Sequence, residues 1–351
     1  MRYTTFGRRT GLRVSEYALG TGNFGTGWGA GAEPDEARRM FDKFAEAGGT
    51  FLDTADGYQF GESEELVGKF IAAERDHFVL ATKFTIGANP RPGISTTGNS
   101  RKNLVASLEA SLKRLGTDYI DLYWVHFPDD LTPMEEILRG LDDLVSSGKI
   151  HHAALSNFPA WRVSRAATLA ELKNWAPVTG IQIEYSLVER TADRELLPMA
   201  ESLGLGAALW SPLGGGLLTG KYRRGPEGRL TDFKTLVHTE SSGQKTAVVD
   251  TVLAIAEETG ASPAQVSVAW LRERAAQAST SFIPIIGPRN LAQLDDYLGA
   301  LDVQLTAKQF ARLSDVSAIP LGVPHEATAA SRNGLQGGDA SLITQPAVPV
   351  A

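Results

Sequence analysis

The stretch Thr50-Phe51-Leu52-Asp53-Thr54-Ala55-Asp56-Gly57-Tyr58 decides the fold. A short apolar run ends at Asp53, and a turn-rich loop sets Tyr58 five residues downstream. Two later segments end in the same manner: Val79-Leu80-Ala81-Thr82 runs into Lys83, and Leu122-Tyr123-Trp124-Val125 runs into His126. Taken singly, a strand-final Asp reads as a cap on the next helix and a strand-final Lys as a solvated charge. Three strand-like runs that each finish in an ionisable residue, with a tyrosine hanging from the first loop, point instead to one shared site. In a barrel of parallel strands the carboxyl ends surround the active-site mouth. Asp53, Tyr58, Lys83 and His126 therefore predict a proton-transfer site. An unperturbed tyrosine has a pKa of about 10. A cation at its hydroxyl lowers that value, so Lys83, held by Asp53, is expected to make Tyr58 a general acid beside His126.

Working outward, strand and helix signals alternate. Residues 1 to 14 read as a hairpin, Tyr3 to Phe6 and Leu12 to Val14 around a Gly7–Gly11 turn. The first barrel strand follows near Tyr17 to Gly20. Gly20-Thr21-Gly22-Asn23-Phe24-Gly25 matches the dinucleotide pattern G-x-G-x-x-G, but that pattern requires a helix to open at once. Thr26 to Gly31 cannot start one, so the stretch is read as a flexible loop at the barrel mouth. Helices are predicted over Pro34–Ala47 and Ser63–Ala73, and one with Leu104, Leu108, Leu112 and Leu115 on one face. Thr132-Pro133-Met134-Glu135 reads as a capping box with Pro at the first helical position. Further strands are predicted at Ile150–Leu155, Val178–Ile183, Gly206–Trp210 and Phe282–Ile286. Eight strands with helices between them give a right-handed closed (β/α)8 TIM barrel as the fold class. Residues 1–320 form its single domain. Loops 84–99 and 214–245 are long, the second carrying charges at its tip. Residues 321–351, rich in Ala, Gly, Pro and Ser, are expected to be a loose tail lying over the mouth.

Composition excludes several classes. The chain has 351 residues with 42% hydrophobic content, enough for a large core. A formal net charge of −7 and the lack of any Lys/Arg-rich run argue against a nucleic-acid partner. Cysteine is absent, so disulfides, thiolate nucleophiles and Cys-based metal sites are impossible. No signal peptide and no long apolar span are evident, so a cytoplasmic protein without membrane association is expected. His151 and His152 are neighbours in a predicted strand and point to opposite faces, so no metal site is expected there. Neither a G-x-S-x-G elbow nor a Walker lysine loop is present.

The motifs FLDTADGY (51–58), GESEELVGK (61–69), LATKF (80–84) and DLYWVHFPD (121–129) resemble the aldo-keto reductases, in the branch that includes the potassium-channel β-subunits. LSNFPAW (155–161), IQIEYSLVER (181–190), WSPLGGGLLTGKY (210–222) and IPIIGPRNLAQLDDYLGAL (283–301) continue the match, which covers roughly residues 1–320. The resemblance implies an NADP-dependent oxidoreductase in which NADPH reduces a small aldehyde or ketone to an alcohol. It implies that Ser156, Asn157 and Gln182 bind the nicotinamide carboxamide and that Trp210 stacks on the ring. Ser211, Leu213, Gly216 and Lys221 match the pyrophosphate loop; Gly287, Arg289, Gln293 and Asp296 match the adenosine end. With Gly20, Thr21, Gly22 and Asp53 these make up the predicted cofactor set. Where the family usually has Asn this chain has Tyr297. Two other readings stay open: a nucleotide-holding regulatory protein of the channel-subunit type with slow turnover, and a Schiff-base aldolase using Lys83.

Overall fold

The structure is a computed structural model and describes residues 1–223 and 238–350. An antiparallel hairpin comes first, β1 (Tyr3–Thr5) paired with β2 (Arg13–Ser15). Eight parallel strands then close on one another in chain order: β3 (Ala18–Gly20), β4 (Phe51–Asp53), β5 (Val79–Phe84), β6 (Ile120–Val125), β7 (Ile150–Ser156), β8 (Val178–Glu184), β9 (Gly206–Trp210) and β10 (Phe282–Ile286). The last strand pairs with the first, Ile285 opposite Ala18 and Ile286 opposite Leu19. Helices α1 (Pro34–Glu46), α2 (Glu62–Ile71), α3 (Arg101–Leu115), α4 (Met134–Ser146), α5 (Ala160–Leu172) and α6 (Leu196–Leu203) each follow a strand. Between β9 and β10 lie α7 (Gly243–Thr259) and α8 (Pro263–Ala276); α9 (Leu291–Gly299), α10 (Ala307–Ser317) and α11 (His325–Leu335) close the chain.

The strands sort their side chains by parity. Phe51, Val79, Ala81, Leu122, Trp124, Ala154, Ala208 and Ile283 share one apolar cluster inside the barrel. Residues of opposite parity, such as Leu52, Leu80, Tyr123 and Leu155, pack in the cluster that also contains the helix residues. Period-two alternation of a strand produces this division. The hairpin seals the bottom: Phe6 is fully buried and meets Phe51 and Trp124 edge-on at 5.8 and 6.0 Å. Glycines make its slot, since a Cβ at Gly180 would sit 2.4 Å from the Phe6 ring and one at Gly206 2.9 Å away.

One expectation is corrected here. The predicted capping box at 132–135 does not form: the Thr132 hydroxyl and N–H bind Asp129 at 2.7 and 2.9 Å, and Pro133 precedes α4 without a side-chain cap. Boxes form instead at Ser262/Gln265 and Thr306/Gln309, where the same spacing meets a free helix start. The tail beyond residue 320 carries one exposed helix, α11. Arg194 holds its start through the carbonyls of Pro320 and Leu321, and α11 buries none of its residues. The predicted charged tip of loop 214–245 lies largely outside the described residues. Among the described residues, no helix is long and apolar enough to cross a membrane.

Phe6→Ala is expected to cost about 3–5 kcal/mol, as for other buried phenylalanines, because glycine-lined walls cannot collapse into the void. A urea-denaturation midpoint unchanged from wild type would show that the plug is dispensable.

Candidate active site

Carried one step further along each strand, the interior parity leaves apolar residues and reaches polar ones. Above Phe51 comes Asp53, above Ala81 Lys83, above Trp124 His126, above Ala154 Ser156, above Gly180 Gln182 and above Ala208 Trp210. Lys83 is fully buried, and Asp53, His126 and Gln182 are nearly so. The Lys83 ammonium donates to Asp53 Oδ2 at 2.6 Å, to the Thr54 carbonyl at 2.7 Å and to the Tyr58 hydroxyl at 3.0 Å. Its three protons are thereby all used. The other Asp53 oxygen accepts from Gln182 Nε2 at 2.9 Å, so the residue read as a carboxamide ligand also steadies the carboxylate from across the barrel. The Tyr58 and His126 rings stand edge to face, with centroids 6.0 Å apart.

Burial sets the protonation states. It pushes the Tyr58 hydroxyl above the ordinary tyrosine value and outweighs the opposing pull of Lys83, so the expected net lowering is corrected. Burial alone lowers Lys83, but Asp53 and Tyr58 more than restore it, and the ammonium persists. His126 is held well below the usual histidine range by burial first and the Lys83 charge second; it is a neutral imidazole. Its Nδ1 has no hydrogen-bond partner among the described residues.

Asp53, Tyr58, His126 and Gln182 line a cleft of about 590 Å³ that runs from Tyr58, His126 and Trp28 to Arg289, Gln293 and Asp296. Of the predicted cofactor set, Gly20, Gly22, Asp53, Asn157, Gln182, Trp210, Ser211, Leu213, Gly216, Lys221 and Gly287 also line it. Thr21 and Ser156 do not. Thr21 is buried with its N–H and hydroxyl on the Asp53 carbonyl, and the Ser156 hydroxyl accepts from Asn157 Nδ2. Asn157 also takes the Trp210 indole N–H at 3.2 Å and donates to the His126 carbonyl, tying three strand ends together. Asn157 and Ser211 both have left-handed backbones, φ 60° and 59°. Such conformations are unusual for non-glycine residues and concentrate at functional sites. Gly215 and Gly216 are also left-handed, and a Cβ at Gly216 would lie 2.8 Å from Lys221 Cε, so the turn presents bare backbone to the cleft.

Sequence reading missed four contributors. Asn23 bridges the first and last strand loops through the carbonyls of Gly287 and Pro288. Gln59 and Glu62 bind the loop between β3 and α1. Asp56 is almost wholly buried behind the Tyr58 loop. A polar residue in a loop carries no sequence signal of its partner, so none of these was visible.

The model of the Aldo/keto reductase family matches residues 17–318. The chain belongs to the aldo/keto reductase family. An uncharacterised oxidoreductase, YrpG, of Bacillus subtilis is 37% identical over 94% of this chain and 100% of its own length. An NADP(+) aryl-alcohol dehydrogenase of Phanerodontia chrysosporium is 33% identical over 90% and 86%. A putative voltage-gated potassium channel β-subunit of Schizosaccharomyces pombe is 36% identical over 75% and 78%. In this aldo/keto reductase the channel-subunit branch is thus represented among the relatives, and the barrel is the family's setting for carbonyl chemistry.

Asp56 yields a pH prediction. Burial first, then the Glu64 charge, pushes its carboxyl up to about 7, against weaker pulls from Arg114 and the Gly57 and Gly87 amides. The folded state therefore retains a proton that the unfolded state loses near pH 4. Stability conferred by the neutral acid is full below that pH and is lost as pH rises toward 7. Three pKa units correspond to about 4 kcal/mol. Asp56→Asn is expected to gain on wild type progressively between pH 4 and 7 in thermal unfolding. A constant difference across that range would remove the assignment.

Proposed function

We propose that the protein is an NADPH-dependent oxidoreductase that reduces an aldehyde or ketone to an alcohol, with Tyr58 as general acid. The observation that carries this reading is the direction of the Lys83 bonds. Because Lys83 donates to the Tyr58 oxygen, the tyrosine's own proton is left to point elsewhere, and Tyr58 and His126 both line the cleft. The raised Tyr58 pKa keeps that proton in place until a stronger base develops. Tyr58 then protonates the carbonyl oxygen as negative charge grows there, and Lys83 stabilises the phenolate that remains. Asp53 and Gln182 keep the ammonium aimed. His126, neutral, orients the carbonyl oxygen by hydrogen bonding.

A bound nicotinamide supplies the hydride. The glycine-lined turn, the left-handed Ser211 and the length of the cleft fit an extended dinucleotide. Asn157 and Gln182, with Ser156 behind, would hold the carboxamide end and Trp210 the ring. Ser211, Leu213, Gly216 and Lys221 would line the pyrophosphate, while Gly287, Arg289, Gln293 and Asp296 would meet the adenosine end. The fungal relative named as an NADP(+) aryl-alcohol dehydrogenase supports the choice of NADPH. Lys83 suits a Schiff base poorly, since its ammonium is enclosed by three acceptors and its pKa is raised.

Tyr58→Phe is expected to lower carbonyl reduction by about 10²- to 10⁴-fold with nucleotide affinity nearly intact. A variant keeping more than half of wild-type single-turnover rate would take the acid role from Tyr58. The same assay distinguishes a regulatory nucleotide-holding protein, in which retention is tight and turnover slow.

Arg289→Ala is expected to weaken NADPH by about 10- to 150-fold, the loss of a charged hydrogen bond of roughly 1.5–3 kcal/mol, with NADH little changed. Fluorescence titration of both nucleotides decides it. Equal losses would make Arg289 a loop-folding residue and withdraw the main support for NADPH.

A further inference from the structure

The residue after Tyr58 has an unusual environment for a glutamine. Gln59 is 2% exposed, and its backbone is left-handed at φ 52°, ψ 32°; Phe60 follows at φ 56°, ψ 35°. Two consecutive non-glycine residues in that region persist only when their surroundings hold them there. The Gln59 amide supplies the hold. Its Nε2 donates to the carbonyls of Gly22 at 3.0 Å and Ala30 at 3.1 Å, and its Oε1 accepts from the Trp28 N–H at 2.8 Å. All three bonds go to the loop between β3 and α1. Glu62 adds two, accepting from the N–H groups of Thr26 and Gly27 at 2.7 and 3.0 Å. The loop has no slack against this support: a Cβ at Gly27 would lie 2.4 Å from the Gln59 carbonyl oxygen, and one at Gly31 1.9 Å from that of Gly25.

Trp28 is thereby held through its backbone N–H, and its half-exposed ring packs on two others. Trp28 stands edge-on to Tyr58, with centroids 6.0 Å apart at 84°, and edge-on to Phe60 at 6.5 Å and 82°. It lines the cleft together with Ile86 and Phe127. We propose that Gln59 is a positioning residue for substrate selection: by holding the Trp28 backbone so that the indole stands against the Tyr58 ring it makes the site prefer flat aromatic carbonyl compounds over saturated ones of equal carbon count. The proposal rests on the carbonyl-reductase reading above. An aromatic ring arriving beside that indole gains an offset or edge-to-face contact that a puckered saturated ring cannot match. If the loop had to be ordered by each substrate, that gain would be spent on ordering it.

Benzaldehyde and cyclohexanecarbaldehyde share a carbon skeleton size and differ in planarity and π character. For wild type, Gln59→Leu and Trp28→Ala, kcat/KM is measured for both aldehydes with NADPH. Both variants are expected to lower the aromatic-to-saturated ratio by about tenfold, with the change in KM for benzaldehyde and little in kcat. Acrylamide quenching of tryptophan fluorescence should rise in Gln59→Leu. A purely structural role for Gln59 lowers both aldehydes equally and leaves the ratio alone, which overturns the proposal. Should Gln59→Leu not fold, Gln59→Glu keeps the length and the acceptor for Trp28 while losing both donors, and reads the same ratio. Wild-type protein that oxidises NADPH with neither aldehyde removes the reductase reading and the proposal with it; turnover with an unchanged ratio removes the proposal alone.

Discussion

Everything at the mouth of the barrel depends on one buried ion pair, Lys83 with Asp53, whose side chains are 0% and 3% exposed. Taking both charges out of water is expensive, and their attraction offsets that cost only where the remaining protons and lone pairs are also bound. Here they are. The ammonium has three acceptors, and the carboxylate takes Lys83 on one oxygen and Gln182 on the other. The bonds join β4, β5, β8 and the loop that carries Tyr58. Removing either charge leaves the other uncompensated inside the barrel, so the pair imposes one arrangement on four segments at once.

The apolar layer beneath makes that arrangement rigid, and the loops above make it selective. Phe51, Ala81 and Trp124 fill the barrel directly below Asp53, Lys83 and His126, while Phe6 closes the bottom. Above, the backbone turns away from the strands through left-handed residues at Gln59, Asn157 and Ser211. Gln59 bonds to the loop after β3 and Asn157 to His126 and Trp210, while the Ser211 hydroxyl accepts from the Gly215 N–H within its own turn. Local strain of this kind is tolerated where neighbouring bonds over-determine it. A regular scaffold thus sets the depth of the chemical groups, and an irregular rim sets what stands beside them.

The barrel was legible because its signals are periodic. The apolar runs at 79–81 and 122–125 require no partner to be read, and the ionisable residues that follow at Lys83 and His126 mark the mouth. Interactions that depend on contact between distant segments were not legible. Gln182 was read as a ligand to the cofactor, whereas its position 129 residues after Asp53 is bridged only once the barrel closes. Thr132 satisfied the pattern of a capping box, but Asp129 competes for both its N–H and its hydroxyl. The tail looked structureless because it lacks an apolar face, and α11 does bury nothing; its helical turn is local and needs no core. Tyr58 was the instructive case. Sequence identified the cation beside it and hence a lowered pKa, but burial, the larger effect, is a property of the assembled loops.

In the proposed reduction, burial and charge act on Tyr58 in turn. With Asp53 and Lys83 cancelling, and with Tyr58 and His126 neutral, the floor of the cleft has no net charge before reaction. A neutral carbonyl compound can approach it without displacing a counter-ion. Burial holds the proton on Tyr58, and Lys83, 4.5 Å from its ring centroid, supplies the charge that tolerates its loss. The two effects act at different moments: desolvation governs the resting state, and the cation governs the state in which negative charge appears. Stabilisation that grows only as charge develops is what lowers a barrier, because equal binding of both states leaves it unchanged.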